Sequence, residues 1–296
     1  MDFSKVLLNP SRLGAVMSEP KGAMTDLMFE TLEKLKSKEE LTPKQELQRI
    51  ELQFRMDNYD PKAISGGCKN YLMFLYQYLK YGNGYKKVPG KGIDKLVRGS
   101  KSEKASVELI KRVTGQPLFK HKKLLKNDYL KGQLDVIDSK EIETSKKIID
   151  VKTSASHFSF MQAMTPEVKR SYNFQMHGYF ALTGRDYGEV YHCLADYTED
   201  DIAEEKHKMI QILCPDGIVT TDFEEEWAEA EYKMRYAYVP DEERIFVHPV
   251  ERDEKIIDKI YEKVEFCREW LAEFEKIHLQ RVADQKAIWQ REPSSK

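Results

Sequence analysis

Two segments, Lys131-Gly132-Gln133-Leu134-Asp135-Val136-Ile137-Asp138 and Lys147-Ile148-Ile149-Asp150-Val151-Lys152-Thr153-Ser154, decide the fold of this chain. Each predicts a short strand, because aliphatic residues alternate with polar ones along it. Successive side chains of a strand point to opposite faces. We therefore expect Asp150 and Lys152 on one face, while the aliphatic residues beside them enter a core.

The polar face of these two strands predicts a site for a divalent metal ion and a water molecule. Asp135 comes from the first strand, and Asp150 and Lys152 come from the second. Mg²⁺ takes oxygen ligands, commonly one or two carboxylates together with a substrate phosphate, and it can generate a nucleophile from bound water. A lysine beside it can stabilise the charge that develops on a phosphate. The alternative is a solvated hairpin, but the apolar context of Asp150 favours a functional site.

Further blocks accompany this pair along the chain. Gly132-Gln133-Leu134-Asp135 is followed by Ile148-Ile149-Asp150-Val151-Lys152-Thr153 and then by Gln175-Met176-His177-Gly178-Tyr179, and Gly99-Ser100-Lys101-Ser102-Glu103-Lys104-Ala105 lies upstream. In this order and spacing the blocks resemble the PD-(D/E)xK nuclease superfamily, in its RecB, YqaJ and lambda-exonuclease branch. That family has G-x-x-D, then a strand ending in D/E-x-K-T, then a helix with Q-x-x-x-Y. The resemblance covers about residues 95 to 195.

The resemblance implies a site and an activity. It implies Mg²⁺ or Mn²⁺ as the cofactor, and Mg²⁺-dependent hydrolysis of DNA by an exonuclease that resects double-stranded ends in phage recombination. An endonuclease of the restriction or resolvase kind and a catalytically silent DNA-binding or assembly subunit are the alternatives. The implied catalytic residues are Glu103, Asp135, Asp150, Lys152, Gln175 and Tyr179, and the implied metal ligands are Glu103, Asp135, Asp150 and the backbone carbonyl of Val151. Expected DNA contacts are Arg98, Lys101, Lys122, Lys123, Thr153, Ser154 and Gln175.

Glu103 has two interpretations that one carboxylate cannot satisfy together. Ser100-x-x-Glu103 matches a capping box, in which the glutamate bonds back to the amide of the capping residue. The resemblance instead makes Glu103 the third acid, which reaches the metal directly or through water. Glu108, further along the same predicted helix, is the fallback for that role.

The charge distribution supports a phosphate-binding side. The 296-residue chain has a net charge of only −2. Residues 80 to 131 nevertheless contain 15 lysines and arginines against 4 acids, while residues 196 to 229 contain 12 acids against 2 lysines. Such asymmetry suits a protein with one face toward DNA and another toward solvent, although two ordinary solvated faces would also produce it. The four cysteines are scattered and lack C-x-x-C spacing, so neither a zinc site nor a disulfide framework is indicated. Some RecB-like nucleases, which the chain resembles, carry an iron–sulfur cluster with three cysteines close together near the C-terminus; this chain lacks that spacing, so no cluster is expected.

The pattern of elements predicts an α/β fold, with a central mixed sheet flanked by helices, a helical N-terminal subdomain and a long C-terminal helix. We predict three regions: 1–92 with the helical subdomain and a basic loop, 93–250 with the nuclease core, and 251–296 with the C-terminal helix and tail.

The expected partners are double-stranded DNA ends, a single-strand annealing protein and a second copy of the chain in a homo-oligomer. We expect no membrane span and a cytoplasmic location. Expected helices cover 22–58, 69–81, 101–113, 166–182, 199–213, 222–235 and 253 to the low 280s, and further strands cover 189–194 and 244–248; Gly82 to Gly92 is expected to be a mobile loop.

Overall fold

A computed structural model describes residues 1–60, 62–82, 94–154 and 156–289, without the side chains of residue 26 and of 94–101. The α-helices are α1 (Leu13–Val16), α2 (Asp26–Lys36), α3 (Pro43–Asp57), α4 (Gly66–Tyr81), α5 (Asp94–Thr114), α6 (His157–Ala163), α7 (Arg170–Thr183), α8 (Glu199–Leu213), α9 (Thr221–Met234) and α10 (Glu254–Trp289). The strands are β1 (Phe119–Lys120), β2 (Leu125–Lys126), β3 (Lys131–Gly132), β4 (Val136–Ile137), β5 (Ile148–Thr153), β6 (Tyr187–Cys193) and β7 (Ile245–Glu251).

The main sheet is mixed and has the strand order β1-β4-β5-β6-β7. Strands β5 and β6 are parallel, and their connection carries α6 and α7. The other neighbouring strands of this sheet are antiparallel. Strands β2 and β3 form a separate two-stranded ladder.

Helices cover both faces of the main sheet, and β5 contributes side chains to each. Ile149 and Val151 pack with Leu109 and Ile110 of α5 in one buried cluster. Ile148 belongs to a second cluster, which also contains Met176, Tyr179 and Phe180 of α7. Because side chains alternate along β5, Asp150 and Lys152 lie on the face that α7 covers. The predicted α/β fold, with a mixed sheet between helices, is confirmed.

The chain divides into two compact units. One comprises Met1–Ser4, Arg12–Gly84 and Glu265–Lys296, and the other comprises Lys5–Ser11 and Tyr85–Val264. The second unit contains the sheet and every described residue of the candidate site. The predicted region boundaries at 92 and 250 stay a prediction.

The first unit is helical, and its helices begin at residues that the sequence marks. Thr42 and Gln45 form a reciprocal capping box at the start of α3, and Pro43 occupies the first turn. Ser65 caps α4, which ends at Gly82 with φ +73°. A small core of Met24, Leu32, Leu35 and Leu52 lies between α2 and α3.

Three predicted elements differ from the structure. The expected strand over 131–138 is broken into β3 and β4, which belong to different sheets, so Asp135 lies in the connection between them. The helix expected over 166–182 begins only at Arg170, and α6 precedes it; Thr165 stands before Pro166, a position that disfavours helix. The helix expected from 101 begins at Asp94. Most of the expected mobile loop, from 83 to 92, lies outside the described residues.

Within the described part of the chain, no helix is long and apolar enough to span a membrane.

Candidate active site

Asp150 is a buried carboxylate at the centre of a hydrogen-bonded cluster. Its side chain is 1% exposed, and Lys152 Nζ lies 2.8 Å from Oδ2 and 3.1 Å from Oδ1. Gln175 Nε2 donates to Asp150 Oδ1 at 2.7 Å, and Gln175 Oε1 accepts from Lys152 Nζ at 3.2 Å. The amide of Gln175 therefore bridges the acid and the lysine and fixes their relative position.

Gln175 and Tyr179 enter the site from α7, where a spacing of four residues places them on one face. Gln175 Nε2 lies 3.5 Å from the Tyr179 hydroxyl oxygen. Burial and the charges of Asp135 and Asp150 raise the pKa of Tyr179 far above its usual value. Tyr179 is a neutral phenol at physiological pH, and its hydroxyl oxygen lies within reach of the Gln175 amide.

Asp135 reaches the same cluster from the connection between β3 and β4. Its Oδ2 accepts a hydrogen bond from the backbone amide of Val151 at 3.2 Å. Burial and then the charge of Asp150 raise the pKa of Asp135 to about 7, although the Lys152 charge and the Val151 amide oppose this rise. Like charges in a poorly solvated place disfavour double ionisation, so Asp135 holds a proton for part of the time at neutral pH.

Gly132 allows the segment that precedes Asp135 to pack closely against Pro10 and Tyr179. A Cβ atom there would lie 2.8 Å from Pro10 Cδ and 3.4 Å from Tyr179 Cε1. The glycine of the G-x-x-D block thus has a packing reason, since a side chain would displace the segment that carries the first acid.

The side chain of Lys152 stays positively charged despite its burial. Burial lowers its pKa, but the charge of Asp150, its hydrogen bond and the charge of Asp135 together outweigh burial and raise the pKa above its usual value. The ammonium also lies 5.0 Å from the ring centroid of Tyr172. The cluster therefore contains two carboxyl groups and one fixed cation.

The cluster has the chemistry that a divalent cation requires. Asp150 Oδ2 is buried and receives no hydrogen bond of acceptable geometry, although Lys152 lies close to it. Burial and then the charge of Asp150 raise the pKa of Asp135, so a divalent cation beside both acids would lower the cost of ionising them. Asp135, Asp150 and the Val151 carbonyl could hold such an ion. No group of three or more His, Cys, Asp and Glu side chains converges on one point in the described residues.

Glu103 lies in the interior of α5, which begins at Asp94, so the capping interpretation does not hold. Its Oε1 accepts from Lys120 Nζ at 2.7 Å, and its side chain is 24% exposed. Glu103 also contributes to the raised pKa of Asp135. Glu108, the fallback, pairs with Lys111 at 3.0 Å and is half exposed. Glu103 is thus the acid nearer the site, while its role as a metal ligand stays a prediction.

Apart from Gln175, described above with Asp150, the residues expected to contact DNA fall into three groups. Lys122 and Lys123 are exposed in the segment after β1, and Lys123 Nζ lies 3.3 Å from Glu141. Thr153 and Ser154 follow Lys152 at the edge of the site; the Thr153 hydroxyl bonds to Ser106 at 2.7 Å. The side chains of Arg98 and Lys101 lie outside the described residues.

Other residues around the site were not predicted from the sequence. Lys120 was counted only as part of a basic run, and no sequence signal marked it as the partner of Glu103. Tyr172 is not among the site residues that the sequence predicts, although its ring faces Lys152. His192 lies beside Lys152 in the sheet register, and burial, the neighbouring His248 and Lys152 lower its pKa to about 4. Only the strand register could have revealed this neighbour.

The described residues form an α/β core in which strand β5 carries an acid and a lysine beside the Gln and Tyr of α7. The chain matches no family model and no curated protein. Its structure resembles that of a phage-related exonuclease from Haemophilus somnus 129PT, with 18% identity, a TM-score of 0.58, and coverage of 93% of this chain and 97% of that one. It also resembles the alkaline exonuclease LHK-Exo from Laribacter hongkongensis, solved in complex with dAMP, with 14% identity, a TM-score of 0.53, and 94% of each chain covered. These two likenesses show that the chain shares its fold with these exonucleases.

Proposed function

We propose that this protein is a divalent-metal-dependent DNA exonuclease that hydrolyses phosphodiester bonds at double-stranded ends. The observation that carries the proposal is the convergence of Asp135, Asp150, Lys152 and Gln175 in one cluster. Both structural neighbours named above are exonucleases. Their fold supports the same class of reaction for this chain.

The residues have separate roles in this proposal. Asp135, Asp150 and the Val151 carbonyl would hold Mg²⁺ or Mn²⁺, and such an ion would supply Lewis-acid activation of a water and neutralisation of phosphate charge. Lys152 donates from Nζ toward the water or toward a phosphate oxygen. Gln175 holds Lys152 and Asp150 in register, because its amide bonds to both.

The wider surroundings fit a nucleic-acid substrate. The lysine-rich span from 80 to 131 precedes the first acid and includes Lys120, which pairs with Glu103 beside the site. Lysines bind phosphates and release counterions from DNA. A single-strand annealing partner, homo-oligomerisation, a cytoplasmic location and a phage recombination role remain implications of the motif resemblance.

The proposal is tested with end-labelled linear duplex and covalently closed circular DNA, each incubated with Mg²⁺, Mn²⁺ or EDTA. We expect metal-dependent degradation of the linear duplex and survival of the circle. Asp150→Asn should abolish degradation, while Asp258→Asn, the same change at an exposed position of α10, should not alter it.

Each contrary result has a distinct meaning. Efficient cutting of closed circles would replace the exonuclease by an endonuclease with the same metal site. Salt-sensitive binding without cleavage of either substrate would indicate a silent DNA-binding subunit. Normal cleavage by Asp150→Asn would refute the site itself.

A further inference from the structure

A cavity of about 590 Å³ lies beside Lys152 in the second compact unit. Its volume falls within the range of small-molecule sites. The residues that line it are Lys152, Thr153, Ser154, Ser159, Gln162, Ala163, Thr165, Lys169, Tyr172, His192 and His248. Lys152, Thr153 and Ser154 belong to the site described above, and Tyr172 and His192 lie beside it. The other lining residues have no role in that site.

The sheet register makes this cavity a lateral extension of the acid–lysine cluster. Lys152 on β5 pairs with His192 on β6, and Asp150 pairs with Val190, which in turn pairs with His248 on β7. Since paired residues share a face, Lys152, His192 and His248 belong to the face that α7 covers. A strand of substrate bound at Asp150 could continue across β6 toward β7.

The floor of the cavity is polar and buried. His192 and His248 are 6% and 4% exposed. His248 Nε2 bonds to the carbonyl of Thr165 at 3.0 Å, whereas its buried Nδ1 has no hydrogen-bond partner. A buried polar atom without a partner is uncommon, because it loses its hydration without compensation. The polar groups around this cavity are therefore not all satisfied within the described residues.

The mouth of the cavity combines cations with an aromatic ring. Lys152 Nζ lies 5.0 Å and Lys169 Nζ 5.7 Å from the ring centroid of Tyr172. No acidic side chain is among the described lining residues. Two ammonium groups favour an anion, and a ring beside them offers a surface on which a base can stack. A nucleotide has both features.

We propose that this cavity binds one nucleotide of the DNA strand that the enzyme cleaves, next to the scissile phosphate. Lys169 contacts the phosphate of that nucleotide, and the ring of Tyr172 contacts its base or sugar. The hydroxyls of Ser154, Ser159 and Thr165 complete the polar wall. This inference rests on the proposed function, and it assigns Lys169 and Tyr172 as positioning residues that retain the strand between the metal site and α6.

The direct test measures binding of three probes to the full chain by calorimetry: a deoxynucleoside 5′-monophosphate, the same nucleoside without phosphate, and inorganic phosphate. The monophosphate should bind most tightly. Lys169→Gln should weaken its binding about tenfold, as expected for a lost charge-assisted contact. Lys255→Gln, the same change at an exposed lysine of α10 that does not line the cavity, should leave binding unchanged. Tyr172→Leu should weaken binding of the monophosphate but not binding of inorganic phosphate.

Steady-state cleavage of linear DNA supplies the second readout. Lys169→Gln should raise KM about tenfold and leave kcat within about twofold, because the residue holds substrate but touches no reacting atom. Lys169 is exposed, so this variant should fold even if Tyr172→Leu does not. Monophosphate binding that is unaffected by Lys169→Gln, or inorganic phosphate that binds as tightly as the nucleotide, would overturn the assignment.

The two proposals fail separately. DNA cleavage with an unchanged KM in Lys169→Gln would leave the nuclease intact and remove the nucleotide cavity. Lys169-dependent binding of the monophosphate without any DNA cleavage would retain the cavity and remove the proposed nuclease activity.

Discussion

Replacing Asp135 by Asn should stabilise the metal-free protein at alkaline pH. Asp135 lies close to Asp150 in a poorly solvated cluster, and the two acids face a single lysine. Asn keeps the shape of the side chain and can still accept the hydrogen bond from the Val151 amide. It removes the repulsion between two carboxylates, which protonation of Asp135 or a bound metal ion would otherwise relieve.

The magnitude follows from the raised pKa of Asp135. Its pKa is about 7 in the folded protein against a reference value of 3.8. A difference of about 3 pKa units corresponds to ~4 kcal/mol at 1.36 kcal/mol per unit. The cost of ionising Asp135 is absent below about pH 4, grows between about pH 4 and 7, and is complete above that range. Because Asn carries no charge, the variant escapes this cost, and ~4 kcal/mol is the upper limit of its advantage.

Thermal unfolding in EDTA across pH 5 to 8.5 measures the effect. At roughly 2 °C per kcal/mol for a chain of this size, Asp135→Asn should unfold up to about 8 °C above the natural protein at pH 8. This difference in Tm should become smaller toward pH 5, and Asp258→Asn should have the same Tm as the natural protein. Mn²⁺ should raise the Tm of the natural protein but not that of Asp135→Asn, since binding stabilises only a competent site. A gap independent of pH, or a less stable variant, would refute the electrostatic reasoning.

Four further predictions concern the site and the sheet that supports it. Lys152→Ala should keep metal and DNA binding but lower single-turnover cleavage about 10²- to 10³-fold, and Lys152→Arg should not restore it, because a planar guanidinium cannot replace a compact ammonium. Glu103→Gln should weaken Mn²⁺ binding measured by calorimetry, whereas Glu108→Gln, paired with Lys111 at a half-exposed position, should not. Reversing the charges of Lys122 and Lys123 should flatten the salt dependence of DNA binding equally for every sequence, since phosphate contacts carry no base information. Gly188→Ala should lower the Tm by the equivalent of about 1–3 kcal/mol, because the new Cβ would lie 2.8 Å from the Ile148 carbonyl.

The parts of the fold that the sequence predicted are those with strong local signals. The alternation in β5 predicted which side of the strand Asp150 and Lys152 occupy, and the structure places them on the α7 face. The four-residue spacing of Gln175 and Tyr179 predicted their common face on α7. In each case the period of the element fixes the direction of the side chain.

The parts that the sequence could not predict depend on contacts between distant segments. Strands β3 and β4 have two residues each, too few to show a period, and the break between them depends on pairing of Gly132 with Leu125 in a separate ladder. The neighbouring positions of Lys152 and His192 depend on the register of two parallel strands. Neither register nor pairing partner is encoded in local periodicity.

The Glu103–Lys120 pair shows why the third acid is the hardest part of this site to assign. Glu103 lies near enough to Asp135 to influence its pKa, yet its carboxylate is held by Lys120 on β1. A metal ion at the two aspartates would compete with Lys120 for Glu103. Because Lys120 is 57% exposed, its ion pair with Glu103 contributes little to stability. If Glu103 moves to the metal, Lys120 is released beside the site and becomes available to a phosphate. Metal binding would then create one of the cationic contacts for DNA, and DNA affinity should rise with Mn²⁺ in the natural protein but rise less in Lys120→Gln.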